Sequence, residues 1–281
     1  VTVSGDVITV ENLRKQYGDR SVLEGVDLEV RTGEVFALLG PNGAGKTTTV
    51  EILEGYREAT SGAVRVLGFD PATHPSALRE RTGVVLQECG FPSHLKVGEL
   101  VEAWRGYYAA PRPLDELLDV VELRDERSTR VRKLSGGQRR RLDFALALAG
   151  DPELIFLDEP TTGFDPEARR RCWTAIENLC ALGKTVLLTT HYLDEAERLA
   201  DRVAILFRGR VQALGTPREL ARLAGAPSAI SFCSPSGEPV IVESRDATGC
   251  LRELMATYGE LHELAVRPPS LEDVYLELVS R

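Results

Sequence analysis

Short stretches in which every position is apolar punctuate the chain, and their spacing predicts its architecture. Val35-Phe36-Ala37-Leu38-Leu39 is apolar throughout, as a strand is when both faces of a parallel sheet are covered. Similar runs recur at Val84-Val85-Leu86, Leu154-Ile155-Phe156-Leu157, Val186-Leu187-Leu188 and Val203-Ala204-Ile205-Leu206, with longer helical patterns between them. That alternation predicts right-handed βαβ crossovers around a mainly parallel sheet, an α/β core. Ahead of it, residues 7–10 are all β-branched. Val26, Leu28 and Val30 then alternate with Asp27, Glu29 and Arg31, the period of two of a half-buried strand. These predict an antiparallel β portion at the N-terminal end.

Between residues 88 and 150 the strand signal stops. Leu114, Leu117, Leu118 and Val121 follow helical spacing there, so the stretch reads as a helical subdomain inserted in the sheet domain. Around residues 225–239 the composition turns to Ala, Gly, Pro and Ser, which marks a joint. The expected organisation is one domain over residues 1–224 and a small α+β unit over 225–281. In that unit strands are expected at 229–232, 240–242 and 261–266, and helices at 251–258 and after Ser270, with Asp273 in a capping arrangement.

Composition narrows the functional classes. A chain of 281 residues, 43% hydrophobic and 27% charged, is globular rather than disordered, collagenous or disulfide-scaffolded. Its 43 acidic residues outnumber 34 basic ones, for a net charge of -9, so no global positive field favours nucleic acid or anionic lipid. The apolar runs fall far short of the ~20 residues that span hydrocarbon, so a membrane role is expected to come through a partner. The N-terminal stretch VTVSGDVITVENL has no secretory pattern. Cys89, Cys172, Cys180, Cys233 and Cys250 are scattered without a Cys-x-x-Cys pair; neither a disulfide framework nor zinc is expected, and a reducing cytoplasm fits. The triplets Arg139-Arg140-Arg141 and Arg169-Arg170-Arg171 read as solvated helix faces.

Candidate chemistry begins where the first all-apolar run ends. Gly40, Pro41, Asn42, Gly43, Ala44, Gly45, Lys46 and Thr47 match G-x-x-x-x-G-K-[ST] directly after that strand. The glycines let successive N–H groups face one anion, and the helix starting near Gly45 adds its positive dipole end. Lys46 is expected to reach the β- and γ-phosphates and Thr47 to place its hydroxyl on Mg²⁺. A nucleoside triphosphate is the expected ligand. The strand 154–157 ends on Asp158 and Glu159. Asp158 is expected to hold the cation, and Glu159 to orient or deprotonate an attacking water. Gln87 and His191 also follow strand ends, where ligands gather in open parallel sheets, so five polar groups are expected to converge on one γ-phosphate. Leu134-Ser135-Gly136-Gly137-Gln138 opens a further helix. It is readable either as a capped helix start or as a second anion site.

The ordered set GPNGAGKTT, Gln87, LSGGQ, LIFLDEP, TTGFDP and His191 closely resembles the ATP-binding subunit of ATP-binding-cassette (ABC) transporters, over about residues 6–220. The resemblance implies ATP and Mg²⁺ as ligands, with Thr47, Gln87 and Asp158 as the metal set and Lys46, Gln87, Glu159 and His191 as the catalytic set. It implies a head-to-tail pair of cassettes, a homodimer being favoured. Each nucleotide then lies between the P-loop of one subunit, Thr48 included, and Ser135, Gly136, Gly137 and Gln138 of the other. Tyr17 would stack on adenine, and Asp165 would lie in a loop crossing between subunits, with Phe164 where leucine is commoner. The implied work is export of a drug- or antibiotic-like small molecule through separate membrane-spanning subunits, from the cytoplasmic face, with the docking cleft in the helical segment after Gln87. The ending RPPSLEDVYLEL resembles the C-terminal extension of ATPases of the daunorubicin-resistance group. The alternative is a nucleotide-dependent clamp in DNA repair or translation. Such relatives carry coiled-coil arms, zinc modules or fused cassettes, which the sequence lacks, and no nucleic-acid partner is expected.

Overall fold

The computed structural model describes residues 5–85, 90–223, 227–234, 237–267 and 270–279. The chain forms two compact units, Val1–Ala213 and Leu214–Arg281. In chain order the first holds β1 (Asp6–Tyr17), β2 (Arg20–Arg31), β3 (Val35–Leu39), α1 (Lys46–Leu53), β4 (Ser61–Val66), α2 (Ser76–Arg81) and β5 (Thr82–Val85). It continues with α3 (Val97–Arg105), α4 (Leu114–Val120), α5 (Gly136–Ala147), β6 (Leu154–Asp158), α6 (Pro166–Ala181), β7 (Thr185–Thr190), α7 (Leu193–Leu199) and β8 (Arg202–Phe207), and β9 (Arg210–Gly215) runs across the division.

Six strands form the main sheet in the order β5-β6-β7-β3-β8-β9. Strand β3 pairs in parallel with both β7 and β8, and β6 pairs in parallel with β5 and β7. All five residues of β3 are buried, as are those of β6, which accounts for the unbroken apolar runs in the sequence. A separate three-stranded antiparallel sheet, order β2-β1-β4, lies toward the N-terminal end. Its alternation is the one the sequence carries: Val26, Leu28 and Val30 are buried while Asp27, Glu29 and Arg31 face solvent. Ile8, Leu13, Leu23 and Val26 from this sheet share one apolar core with Phe36, Leu38, Phe156, Leu187 and, from α1, Val50 and Leu53.

Helices α3, α4 and α5 lie between β5 and β6. On α4, Leu117 and Leu118 are buried, and Val121 just beyond it is also buried. Strands β4 and β9 have no all-apolar run to announce them, because most of their side chains are exposed or half-exposed.

The second unit holds α8 (Pro217–Leu223), β10 (Ser228–Cys233), β11 (Pro239–Ser244), α9 (Ala247–Tyr258), β12 (His262–Arg267) and α10 (Leu271–Val279). Its antiparallel sheet has the order β11-β10-β12. Ile230 and Phe232 are buried on β10, and the Phe232 ring lies 5.3 Å from that of Tyr258 on α9. Helix α10 buries Leu271 and Val274, and its start is capped by Asp273, whose Oδ2 accepts from both the N–H and the hydroxyl of Ser270 at 2.8 Å.

Among the described residues Cys172, Cys180, Cys233 and Cys250 are free thiols, and no helix is long and apolar enough to cross a membrane. Cys89 lies outside the described residues.

Candidate functional site

The register of the parallel sheet decides where polar groups emerge. Leu39 is level with Thr190 on β7 and Ile205 on β8, and Asp158 is level with Thr189. The segments after β3, β6 and β7 therefore leave the sheet at one edge.

After β3 the chain turns sharply into α1. Gly40 approaches β8 so closely that a Cβ there would sit 2.3 Å from the backbone oxygen of Leu206. Gly45, at φ 109°, caps α1 with the left-handed backbone that glycine tolerates, and a Cβ would meet Leu23 at 2.6 Å. The first N–H groups of a helix have no intrahelical partner, so this start favours an anion. Lys46 folds back over the loop. Its Nζ is buried, donating to the carbonyls of Gly40 at 2.9 Å and Pro41 at 3.3 Å and pairing with Glu159 Oε1 at 3.2 Å.

Glu159 follows β6 with its backbone in the left-handed region, φ 45°. Its N–H donates to Thr189 Oγ1 at 3.0 Å, and the same Thr189 hydroxyl donates to Asp158 Oδ1. Thr162 Oγ1 donates to Glu159 Oε2 at 3.1 Å, and His191 Nδ1 lies 3.4 Å from Glu159 Oε1 without forming a hydrogen bond among the described residues. Burial opposes ionisation of Glu159. The Lys46 ammonium outweighs it, helped by His191 and Thr162, and holds the carboxyl below the usual glutamate range.

A cleft of about 690 Å³ joins Lys46 and Glu159 to Tyr17, Asn42, Gly43, Gly45, Thr47 and Thr48. Tyr17 is 40% exposed at its rim, with Lys15 Nζ 4.9 Å and the Arg57 guanidinium 5.7 Å from the ring centroid. Lys46, Asp158, Glu159 and His191 are thus gathered at one sheet edge, with Tyr17 at the other side of the cleft. Gln87 lies outside the described residues. Arg20, Val22 and Arg57 also line this cleft, and Thr162 and Thr189 hold the acidic pair, though none was singled out in the sequence. For Thr189 a signal existed in the polar Thr189-Thr190 pair ending an apolar strand. Thr162 falls in the TTGFDP stretch, and Arg20, Val22 and Arg57 carry no local pattern.

Ser135, Gly136, Gly137 and Gln138 line a different cleft, of about 290 Å³, with Phe164 and Asp165, and the two clefts share no residue. Ser135 caps α5: its Oγ accepts from the Gln138 N–H at 3.2 Å, and Gln138 Oε1 accepts from the Ser135 N–H at 2.9 Å. Asp165 likewise caps α6, accepting from the Ala168 N–H at 2.8 Å. The expectation that the arginine triplets are solvated faces holds for Arg139, Arg170 and Arg171, which are exposed, and is corrected for the other three. Arg140 is buried against the backbone after β6, Arg141 is bound to Glu122, and Arg169 pairs with Asp194 over the Tyr192 ring. Three consecutive helical residues point over about 200°, so a helix packed along one face turns one end of such a triplet toward its neighbours.

A third cleft, of about 500 Å³, separates the sheet from the inserted helices and is lined by Glu54, Tyr56, Phe91, Trp104, Tyr108 and Asp143 among others. Glu54, at the end of α1, has its carboxyl pushed up to about 8, first by burial and then by the charges of Asp158 and Glu51.

Residues 23–162 match the family model described as ABC transporter. The chain is 37% identical, over 306 aligned positions, to the Nod factor export ATP-binding protein I of Ralstonia nicotianae, covering 99% of this chain and 95% of that one. It is also 37% identical, over 300 positions, to a daunorubicin resistance ATP-binding protein of Streptomyces coeruleorubidus, covering 96% and 95%. Among solved structures, an ATP-binding subunit of an ABC transporter superposes with a TM-score of 0.72 at 27% identity, covering 97% of this chain and 99% of that one. A subunit from Clostridium perfringens, part of the ABC transporter complex cbiONQ, gives a TM-score of 0.69 at 28% identity, covering 76% and 90%.

Glu54 generates a pH prediction. A carboxyl raised in the folded state contributes full stability below its unfolded value, near 4.5, and that contribution is lost as pH rises through the folded value, here about 8. Glu54→Gln should therefore gain stability over the parent as pH rises from 5 to 8, by on the order of 1–3 kcal/mol at pH 8. Thermal denaturation of both proteins at the two pH values checks this; a gain that does not grow with pH contradicts the assignment.

Proposed function

Because this chain belongs to the ATP-binding subunits of ABC transporters, we propose that it hydrolyses ATP to power export of a drug- or antibiotic-like small molecule through separate membrane-spanning subunits. The observation that carries the reading is the meeting of the phosphate loop, Lys46, Asp158, Glu159 and His191 at one sheet edge, beside a second anion-seeking helix start in a separate cleft. Export is favoured because the relatives over nearly the whole chain are named for Nod factor export and daunorubicin resistance.

Residues 1–224 do the nucleotide work and residues 225–281 form an accessory unit. Adenine stacks on Tyr17, and the triphosphate lies over the turn from Gly40 to Thr48, where backbone N–H groups and Lys46 receive its oxygens. Mg²⁺ fits the donor set: the Thr47 hydroxyl and the Asp158 carboxylate are hard oxygen ligands, with Gln87 as the third member. When bound, the ion neutralises charge on the β- and γ-phosphate oxygens. Glu159 orients a water for in-line attack and accepts its proton as the oxygen–γ-phosphorus bond forms and the β–γ bridge breaks, giving ADP and phosphate. His191 holds the γ-phosphate beside Glu159.

In a homodimer each triphosphate also receives Ser135, Gly136, Gly137 and Gln138 of the partner, so ATP bridges the protomers and hydrolysis releases them. That motion reaches the permease through the aromatic cleft between sheet and inserted helices, at the cytoplasmic face of the membrane. Because ATP favours only the closed pair, its differential affinity for the two states limits the work of each stroke.

Co-expression with a candidate membrane-spanning permease subunit should yield a stable membrane complex with ATPase activity. Activity stimulated instead by DNA or ribosomes, with no membrane partner, would favour the clamp reading. Glu159→Gln should retain ATP binding, lose turnover by at least ~100-fold, and trap an ATP-bound dimer by light scattering. Normal turnover removes Glu159 from its role. Lys46→Ala should weaken nucleotide binding by more than ~10-fold in a fluorescent-nucleotide titration, through loss of charge-assisted contacts; unchanged affinity defeats that assignment.

A further inference from the structure

Helix α5 does more than open with a capped anion site. On its second turn Arg140 points inward, its side chain only 7% exposed. The guanidinium reaches oxygens of three described residues: Nε donates to the Pro160 carbonyl at 3.1 Å, Nη2 reaches the Asp158 carbonyl at 3.5 Å, and Nη1 lies 3.5 Å from Asp143 Oδ2. The two carbonyls belong to the residues on either side of Glu159.

Glu159 needs such a hold. A glutamate with φ 45° is in a region that L-residues with long side chains seldom occupy, and it stays there only when its surroundings fix it. Thr189 fixes its N–H. Arg140 grips the backbone before and after it, and Cys172 Sγ adds a weak contact to the Pro160 carbonyl at 3.7 Å. Only a planar fork with several donors bridges carbonyls two residues apart while pairing with a carboxylate; a lysine ammonium is a single point.

We propose that Arg140 is a positioning residue for hydrolysis. It fixes the backbone that aims the Glu159 carboxylate, and it makes that aim depend on α5, the helix whose first residues, in the proposed dimer, contact the nucleotide held by the partner. Each catalytic carboxylate is thereby set by the helix that senses the opposite nucleotide. The inference rests on the hydrolytic reading of the site.

The test uses the full chain with Mg·ATP. Truncating Arg140 alone takes a cation away from the buried Asp143, so two variants are compared. Arg140→Lys keeps the charge and loses the fork; Arg140→Met with Asp143→Leu removes both partners. Turnover is expressed per nucleotide-binding site counted with a fluorescent ATP analogue. Arg140→Lys should bind the analogue within about twofold of the parent while kcat falls about tenfold, the size of one lost charge-assisted hydrogen bond. The paired variant should show the same split. Parent-like kcat in either variant, parallel losses of affinity and kcat, or loss of binding by both variants overturns the proposal. Glu159→Gln in parallel separates the two readings. If it is inactive while Arg140→Lys is normal, the Arg140 assignment alone falls; if it turns over at the parent rate, the hydrolytic reading falls and takes this one with it.

Discussion

A strand covered on both faces has nowhere to put a polar side chain except at its end, and β3 imposes that rule on the whole first unit. It lies between two parallel neighbours in flush register, so its loop and those after β6 and β7 leave the sheet together. The phosphate turn, the acidic pair and the histidine are brought to one place by strand pairing alone. The glycines then let the loop lie close enough for Lys46 to fold back and meet Glu159.

Much of this was legible from residue order. The runs at 35–39, 154–157, 186–188 and 203–206 fall on β3, β6, β7 and β8, because burial on both faces leaves an unbroken apolar signature. Helix α4 was legible because one face is buried and the other is not. Strands β4 and β9 were not, since strands with few buried side chains carry little hydrophobic pattern. Nor was the inward turn of Arg140. A basic triplet looks the same in sequence whichever member faces the core, and the two carbonyls that Arg140 holds lie 18 and 20 residues away. Glu54 was hidden for a related reason: its surroundings are assembled from α1, Asp158 and the inserted helices, and no local pattern carries them.

The two helix starts that read alike in sequence differ in the folded chain. At α1 a glycine supplies no side-chain cap, and the start opens on the cleft that holds Lys46. At α5 a serine and a glutamine satisfy each other across the first turn, and Gln138 also donates to Glu126. The α5 start is therefore internally tied in the isolated chain, and its buried side is tied again through Arg140 to the turn beyond β6. A displacement at the start of α5 has a short, hydrogen-bonded path to the acidic pair.

The contact between Lys46 and Glu159 has a consequence for the order of events. Lys46 is paired within its own chain, so an anion taken up at the phosphate turn has to compete with Glu159 for it. Under the proposed reading, uptake of a triphosphate is an ion exchange, one anion released for another taken up. The carboxylate set loose would be the one assigned to water, so loading the pocket and arming it would be a single event.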